Sequence, residues 1–402
     1  MKQAGVAQNG IAQLAEDGEV VLWRPSRASG AWTRVAVGRE LADRWRVATG
    51  DVVAGPKEAV ADAAPGEPEE RLIRIDAVNG LGEAEALERP SPRRRGPMDR
   101  STPERLVALA AGPADATGRL LDLAAPLALG SAGLVHGPHG SGLTRTLQAV
   151  AAGVAANAPD VRVVPLLVRA RGEEVTDWRR RFPCAEVIGA PVPEGGAAAA
   201  ERVLACELVL AFAQRRTEVG EHVLLVVDSL TAVWSAMLEA EEADAQREAD
   251  RAGARARIRE WLAAAGWFGG EGFLGAGLGG SLTLVGSAWS VAVDPDAEEE
   301  GETHPDLRLL EHTMDSATWS VALSGELARA RLFPAIDPCG GRSRWEDALT
   351  EPARLDRRLA ARRLLAGLPE ADRHVAVMAA LGASDDGAAL LAAIEAGDEP
   401  GD

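Results

Sequence analysis

Residues 134–144 read Leu-Val-His-Gly-Pro-His-Gly-Ser-Gly-Leu-Thr, an apolar strand running into a glycine-rich turn. The spacing matches the pattern G-x-x-x-x-G-K-[ST]. In that pattern backbone N–H groups and the start of the next helix cradle phosphates, a lysine holds the terminal oxygens, and a hydroxyl faces Mg²⁺. Gly137, Pro138, His139, Gly140, Ser141, Gly142, Leu143 and Thr144 are therefore the candidate phosphate-binding residues. Leu143 stands where the lysine belongs. Leucine carries neither donor nor charge, so the loop keeps a nest for an anion and loses its point charge. A second candidate is Asp228, at the end of the apolar run Val223–Val227. A carboxylate there can hold Mg²⁺ together with the hydroxyl of Thr144; the plainer role is to cap a strand end. His136 and His139 flank the loop without metal-ligand spacing and read as loop polar residues.

These groups need a scaffold, and the rest of the chain supplies one. With 402 residues, 47% hydrophobic and 26% charged, it is long enough for two or three cores. A formal net charge of −18 excludes clinging to nucleic acid by bulk charge, so any such contact needs a local site. Cys184, Cys206 and Cys339 are scattered, with no C-x-x-C pair, which fits a reducing compartment and no metal cluster. No run of about 18 apolar residues occurs and the N-terminus lacks a leader pattern, so a cytoplasmic protein with no membrane contact is expected. Lysine occurs only at Lys2 and Lys57 and tyrosine is absent, a bias that exchanges lysine for arginine but does not account for a leucine.

Short apolar runs at 19–23, 33–37, 50–54 and 71–75 predict a small β-barrel over residues 10–86, with the acidic stretch Glu58–Glu70 as a flexible excursion. A Pro/Arg-rich linker spans 87–104. Over 105–350, strands at 133–136, 161–168, 223–227, 281–287 and 328–333 alternate with helices, including a long one from about Ala197 to Arg216. This predicts an α/β core with a parallel sheet covered on both faces. Residues 351–402 read as a helical appendage ending in an acidic tail.

Further words in the chain carry a resemblance. Pro165-Leu-Leu-Val-Arg-Ala-Arg-Gly-Glu173-Glu174-Val-Thr follows the loop, then Val223-Leu-Leu-Val-Val-Asp228-Ser-Leu-Thr, Gly279-Gly-Ser-Leu-Thr283 and Arg331-Leu-Phe-Pro-Ala-Ile-Asp337. Leu120-Leu-Asp-Leu-Ala-Ala-Pro126 precedes it, and Val47-Ala-Thr-Gly-Asp51 lies in the barrel region. In kind and order these resemble the bacterial transcription termination factor Rho family, over roughly residues 10–350, without that family's extra N-terminal helical domain. The resemblance implies a RecA-like core preceded by an OB or cold-shock-like barrel. It also implies ATP and Mg²⁺ as ligands, RNA threaded through a ring of usually six subunits, and RNA polymerase as a partner.

The resemblance also shows what is missing. The family's catalytic glutamate lies in D-E-R, and here the matching residues are Arg169, Ala170 and Arg171. Alanine cannot orient a water or take a proton. Glu173 and Glu174 are the weak replacement candidates, and capping of the following helix is their expected role. The arginine that reaches a neighbour's terminal phosphate is displaced to Arg342, with surface exposure as the equal alternative. The family's stacking aromatics are replaced by Gly18-Glu-Val-Val21; Trp23, on the same strand face as Val21, is the remaining candidate for RNA, or else a half-buried barrel residue. The second central loop has Met314 near the family's lysine, and the first is replaced by a charged helix with Arg247, Arg251, Arg255 and Arg259 at i+4 spacing. That stripe is an RNA-binding candidate or, by default, a salt-bridged solvent face.

The residues accordingly predict a Rho-like protein with impaired ATP hydrolysis, acting as a binding or regulatory subunit in a homo-oligomer or in a hetero-oligomer with an active Rho ring. Two alternatives stay open. One is a working ATP-dependent RNA translocase in which Arg145 or a neighbour's arginine replaces the lysine and Glu173 or Glu174 the base. The other is a nucleotide sensor without turnover.

Overall fold

The computed structural model describes residues 10–15, 17–25, 32–61, 63, 67–88, 101–112, 114–183, 185–189, 196–241, 248–268, 280–289 and 313–383. The first of these build a small β region from strands β1 (Ile11–Leu14), β2 (Val20–Pro25), β3 (Trp32–Val37), β4 (Val53–Ala54), β5 (Lys57–Ala59), β6 (Glu70–Leu72) and β7 (Ala77–Val78). One sheet runs β1-β2-β3-β6-β5, and β4 pairs with β7. Period-two alternation sends Val20, Leu22, Val35 and Val37 into a local core with Trp45, Val53, Leu72 and Val78. The Thr49-Gly50-Asp51 word works as a turn lock. The fully buried Asp51 accepts from the Ala48 N–H at 2.8 Å and from Asn79 Nδ2 at 2.7 Å, and Thr49 Oγ1 accepts from the Leu14 N–H at 3.1 Å. The acidic stretch Glu58–Glu70, expected as a free excursion, is pinned at both ends. β5 and β6 pair antiparallel, and Arg71 Nη2 donates to Glu58 at 2.6 Å.

After the small ladder of β8 (Leu106–Val107) with β9 (Leu127–Ala128), the core sheet begins. Its strands are β10 (Ala132–Gly137), β11 (Val161–Leu167), β12 (Ile188–Gly189), β13 (His222–Asp228), β14 (Gly266–Phe268), β15 (Gly280–Trp289), β16 (Trp319–Ala322) and β17 (Arg342–Ser343). The order is β12-β11-β13-β15-β10-β16-β17, with β14 on β15. All pairs from β12 to β16 are parallel. Strand β13 shows why its sequence is continuously apolar: Val223, Leu225 and Val227 enter one core and Leu224 and Val226 the other. The first core includes the helices Gly196–Glu218, Leu230–Ala240 and Glu248–Ala264; the second includes Leu143–Asn157, Gly172–Arg181 and Ala116–Ala124. Because the strands run parallel, the Gly137, Leu167, Asp228 and Trp289 ends share one edge, where α/β proteins place ligands.

The strand expected at Ala328–Phe333 is not formed. Ser324 caps a short helix, Gly325–Arg329, by accepting from the Glu326 and Leu327 N–H groups, both at 3.1 Å, and Arg331 turns the chain at φ +61°. Local capping outcompetes strand propensity, and Phe333 remains exposed. The strand of this region is instead β16. The C-terminal helices Pro352–Ala366 and Glu370–Ala383 contribute Ala361, Leu365, Val377 and Ala380 to the second core. The buried Glu346 anchors the first through Arg358 at 2.7 Å and Arg362 at 2.9 Å, and Asp337 anchors the second through Arg373 at 2.8 Å. Most of the 87–104 linker and all of the acidic tail beyond 383 lie outside the described residues. Among those described, no helix is long and apolar enough to cross a membrane.

The β region sits firmly on the core. Trp23 and Trp32 pack against the first core cluster, Trp32 Nε1 donates to the Gly189 carbonyl at 3.0 Å, and Arg216 Nη1 donates to the Asn79 carbonyl at 2.9 Å. Gly50, at φ +92°, lies so close to the helix Gly196–Glu218 that a Cβ would stand 2.5 Å from the Ala211 carbonyl carbon. Gly50→Ala therefore meets both a left-handed backbone and a steric clash. It should cost about 2–4 kcal/mol in chemical denaturation and speed proteolysis between the two parts.

Candidate functional site

The loop after β10 takes its shape from glycines. Gly140 and Gly142 have φ of +79° and +101°, with open space around them, so the requirement is conformational. Gly137 differs, since a Cβ there would lie 2.7 Å from Leu323 Cβ. Ser141 Oγ donates to the Pro138 carbonyl at 2.6 Å and closes the turn. Gly142 then caps the helix Leu143–Asn157, whose first N–H groups have no intrahelical acceptor and face the edge where the strands end.

The loop opens on a cavity of about 760 Å³. It is lined by His139, Gly140, Gly142, Leu143, Thr144 and Arg145 from the loop and helix, Leu167–Arg171 beyond β11, Glu174 and Trp178, Asp228 beyond β13, and Trp289 beyond β15. Thr144 and Asp228 both line this cavity, and Ser287 Oγ donates to the Asp228 carboxylate at 3.1 Å. Burial raises the Asp228 pKa above the usual carboxylate range, with the nearby Glu174 adding to the shift and the hydroxyls of Thr144 and Ser287 opposing it. The Thr144 hydroxyl and the carboxylate are hard oxygen ligands that fit Mg²⁺, and they would leave the remaining positions to phosphate and water. Among the described residues no group of three or more His, Cys, Asp or Glu could hold a metal unaided. The cavity wall also carries an orphan donor: Trp178 is 1% exposed and its indole N–H finds no acceptor.

Leu143 points inward. It is 8% exposed and belongs to the second core cluster with Leu147 and Val150, and Ala170, Val175 and Trp289 pack against the same cluster. The two positions that should carry an ammonium and a carboxylate are thus parts of one apolar body. Two of the arginines that line the cavity are engaged by other side chains: Arg145 donates to Gln148 at 3.0 Å and to Asp177 at 3.4 Å, and Arg169 pairs with Glu239 at 2.7 Å, while Arg171 is exposed. Glu174 Oε2 accepts from the Arg171 N–H at 2.8 Å and so caps its helix while facing the cavity; Glu173 is exposed and outside the lining.

The remaining candidates lie away from this cavity. Arg342 is exposed on the edge strand β17, paired with Ser320. Trp23 is engaged within the chain, since Nε1 donates to Gln13 at 2.7 Å and the Arg34 guanidinium lies 5.6 Å from the ring centroid. The arginine stripe is not one face. Arg255 is 4% exposed, Arg251 half-buried and Arg259 exposed, because i+4 steps drift by about 40° around a 3.6-residue helix. Arg247 lies outside the described residues. Sequence reasoning passed over Trp289 and Trp178. A usable signal existed for Trp289, which ends an apolar strand just as Asp228 does and stands in register with Gly137.

Comparison with known proteins decides the relationship. The chain is 33% identical over 240 residues to the transcription termination factor Rho of Streptomyces coelicolor, covering 59% of this chain and 52% of that one. To the Rho of Haemophilus influenzae it is 29% identical over 337 residues, covering 82% and 73%. The chain is a divergent relative of the Rho factors. The first match thus spans about half of that relative's length. No family model matches. The fold of this Rho relative is also that of two solved proteins at 17% identity. These are a prototypical ATPase from the type III secretion system of pathogenic bacteria, with TM-score 0.55 over 84% of this chain and 93% of that one, and the assembled ATPase EscN from enteropathogenic E. coli, with TM-score 0.56 over 98% and 96%.

The electrostatics of Asp228 give a checkable consequence. An acid whose folded pKa is raised weakens the fold as pH rises from the ordinary carboxylate value through the folded one, and the full cost persists above it. Asp228→Asn, which keeps an acceptor for Ser287, should raise the thermal midpoint at neutral pH without ligand, and the gain should vanish in acid.

Proposed function

We propose that this Rho relative binds nucleotide at the Gly137–Thr144 loop with Mg²⁺ at Thr144 and Asp228, hydrolyses it poorly or not at all, and serves as a binding or regulatory subunit. It would assemble with copies of itself or within a ring of active Rho. In this reading residues 10–86 form the module of RNA-binding type, 87–104 the linker, 105–350 the nucleotide-binding core and 351–402 the appendage. The observation that carries the reading is the burial of Leu143 in a core cluster that Ala170 also packs against. Bound Mg²⁺ would supply charge neutralisation at the phosphates, and the loop backbone would position them. Of the charged side chains in the lining, Arg145 and Arg169 are paired with Asp177 and Glu239, and Glu174 is engaged as a helix cap.

RNA contact is weak in this reading, since Trp23 and Arg255 are engaged inside the chain. The lining of the cavity by Glu174 and by Arg145, Arg169 and Arg171 favours the second reading, a working translocase. The capping bond of Glu174 and the pairings of Arg145 and Arg169 weigh against it.

Loss of one electrostatic stabiliser costs about 3–4 kcal/mol of barrier, and loss of a general base a further 10²–10⁴-fold. RNA-stimulated phosphate release should therefore run about 10⁴-fold or more below that of an intact Rho. Leu143→Lys with Ala170→Glu should raise it at least about tenfold. Turnover by the unaltered protein at ordinary motor rates would refute the proposal.

A further inference from the structure

The tip of the glycine loop is held by an aromatic contact. At its base the loop is packed, with Gly137 against Leu323 and Pro138 against Gly325. Further out the packing stops: Gly140 and Gly142 have open space around them, and the bonds of Ser141 to the Pro138 carbonyl stay within the loop. Among the described residues no hydrogen bond joins His139, Gly140 or Ser141 to another element. His139 instead meets Trp289, with ring centroids 4.2 Å apart and planes inclined at 48°. The indole is a fixed platform. Trp289 ends β15 in register with Gly137, its backbone N–H donates to the buried Thr231 Oγ1 at 3.1 Å, and its side chain packs against the second core cluster.

We infer that Trp289 is a positioning residue that, through His139, holds the loop in its binding shape before any ligand arrives. The inference rests on the nucleotide-binding reading above and adds what makes that reading workable without a lysine. With Leu143 in the core and Ser141 Oγ turned onto Pro138, the loop offers phosphate chiefly its backbone N–H groups and those of the helix start. Such groups act together only when their directions converge. A segment with glycine at 137, 140 and 142 loses more freedom than most on being fixed. An aromatic pair formed in advance transfers that entropy loss to folding, so binding no longer bears it. Neither ring takes part in hydrolysis, which agrees with a subunit that binds without turnover.

The test is a double-mutant cycle on the full chain, read by calorimetry with ADP and Mg²⁺ and by amide hydrogen exchange at residues 139–144 without ligand. His139→Ala and Trp289→Leu should each weaken binding about three- to tenfold and speed exchange of the loop amides by a similar factor. The double variant should bind no more weakly than the worse single one, and Trp289→Phe, which keeps a ring, should bind within about twofold of the unaltered chain. His139 is exposed, so its truncation leaves the fold intact and separates loss of the contact from loss of packing at Trp289. Losses that add in the double variant, or loop exchange unchanged in His139→Ala, overturn the inference and leave the nucleotide-binding reading standing. Failure of the unaltered chain to bind ADP overturns that reading and the purpose given to the contact, and the exchange measurement still decides whether the contact orders the loop.

Discussion

Burial of β13, β15 and β10 on both faces is the constraint from which the rest follows. Their buried stretches admit apolar side chains and hydrogen-bonded hydroxyls such as those of Thr283 and Ser287, so the groups that line the cavity sit at the strand ends, and parallel pairing collects those ends on one edge. Asp228, the glycine loop and Trp289 are neighbours for that reason alone. The same constraint explains why a site can lose its chemistry and the fold survive. The framework words Val223–Asp228, Gly280–Thr283 and Leu120–Pro126 supply packing, and their side chains fill the two cores.

The replacements at 143 and 170 look different once placed in that frame. Separately each is a lost charge. Together they extend the second core into the cavity wall, adding apolar contact where a charged pair would need compensation. A buried ion pair costs desolvation that only good geometry recovers, whereas an apolar substitute of similar bulk is often neutral or stabilising. The change is therefore one that the fold itself tolerates.

Much of this was legible beforehand, for identifiable reasons. Strongly patterned elements such as Val223–Asp228 and the helix Gly196–Glu218 announce themselves through composition and length, and the glycine loop through its spacing. The capping role of Glu174 follows from its place three residues after the N-cap. Ala328–Phe333 failed because a serine cap, invisible to β-propensity, set the local structure. The arginine stripe was misread because its spacing fixes relative angles on a helix and leaves open which arc faces the core, where Arg255 lies. Trp289 was missed because register between distant strands is a tertiary fact.

The central claim is that the side chain at position 143 is packed into the second core. Chemical denaturation of Leu143→Ala tests it most directly. If Leu143 is packed as described, its truncation should cost about 2–5 kcal/mol, as for other buried leucines. A loss below about 0.5 kcal/mol, as expected of a surface side chain, would contradict the account.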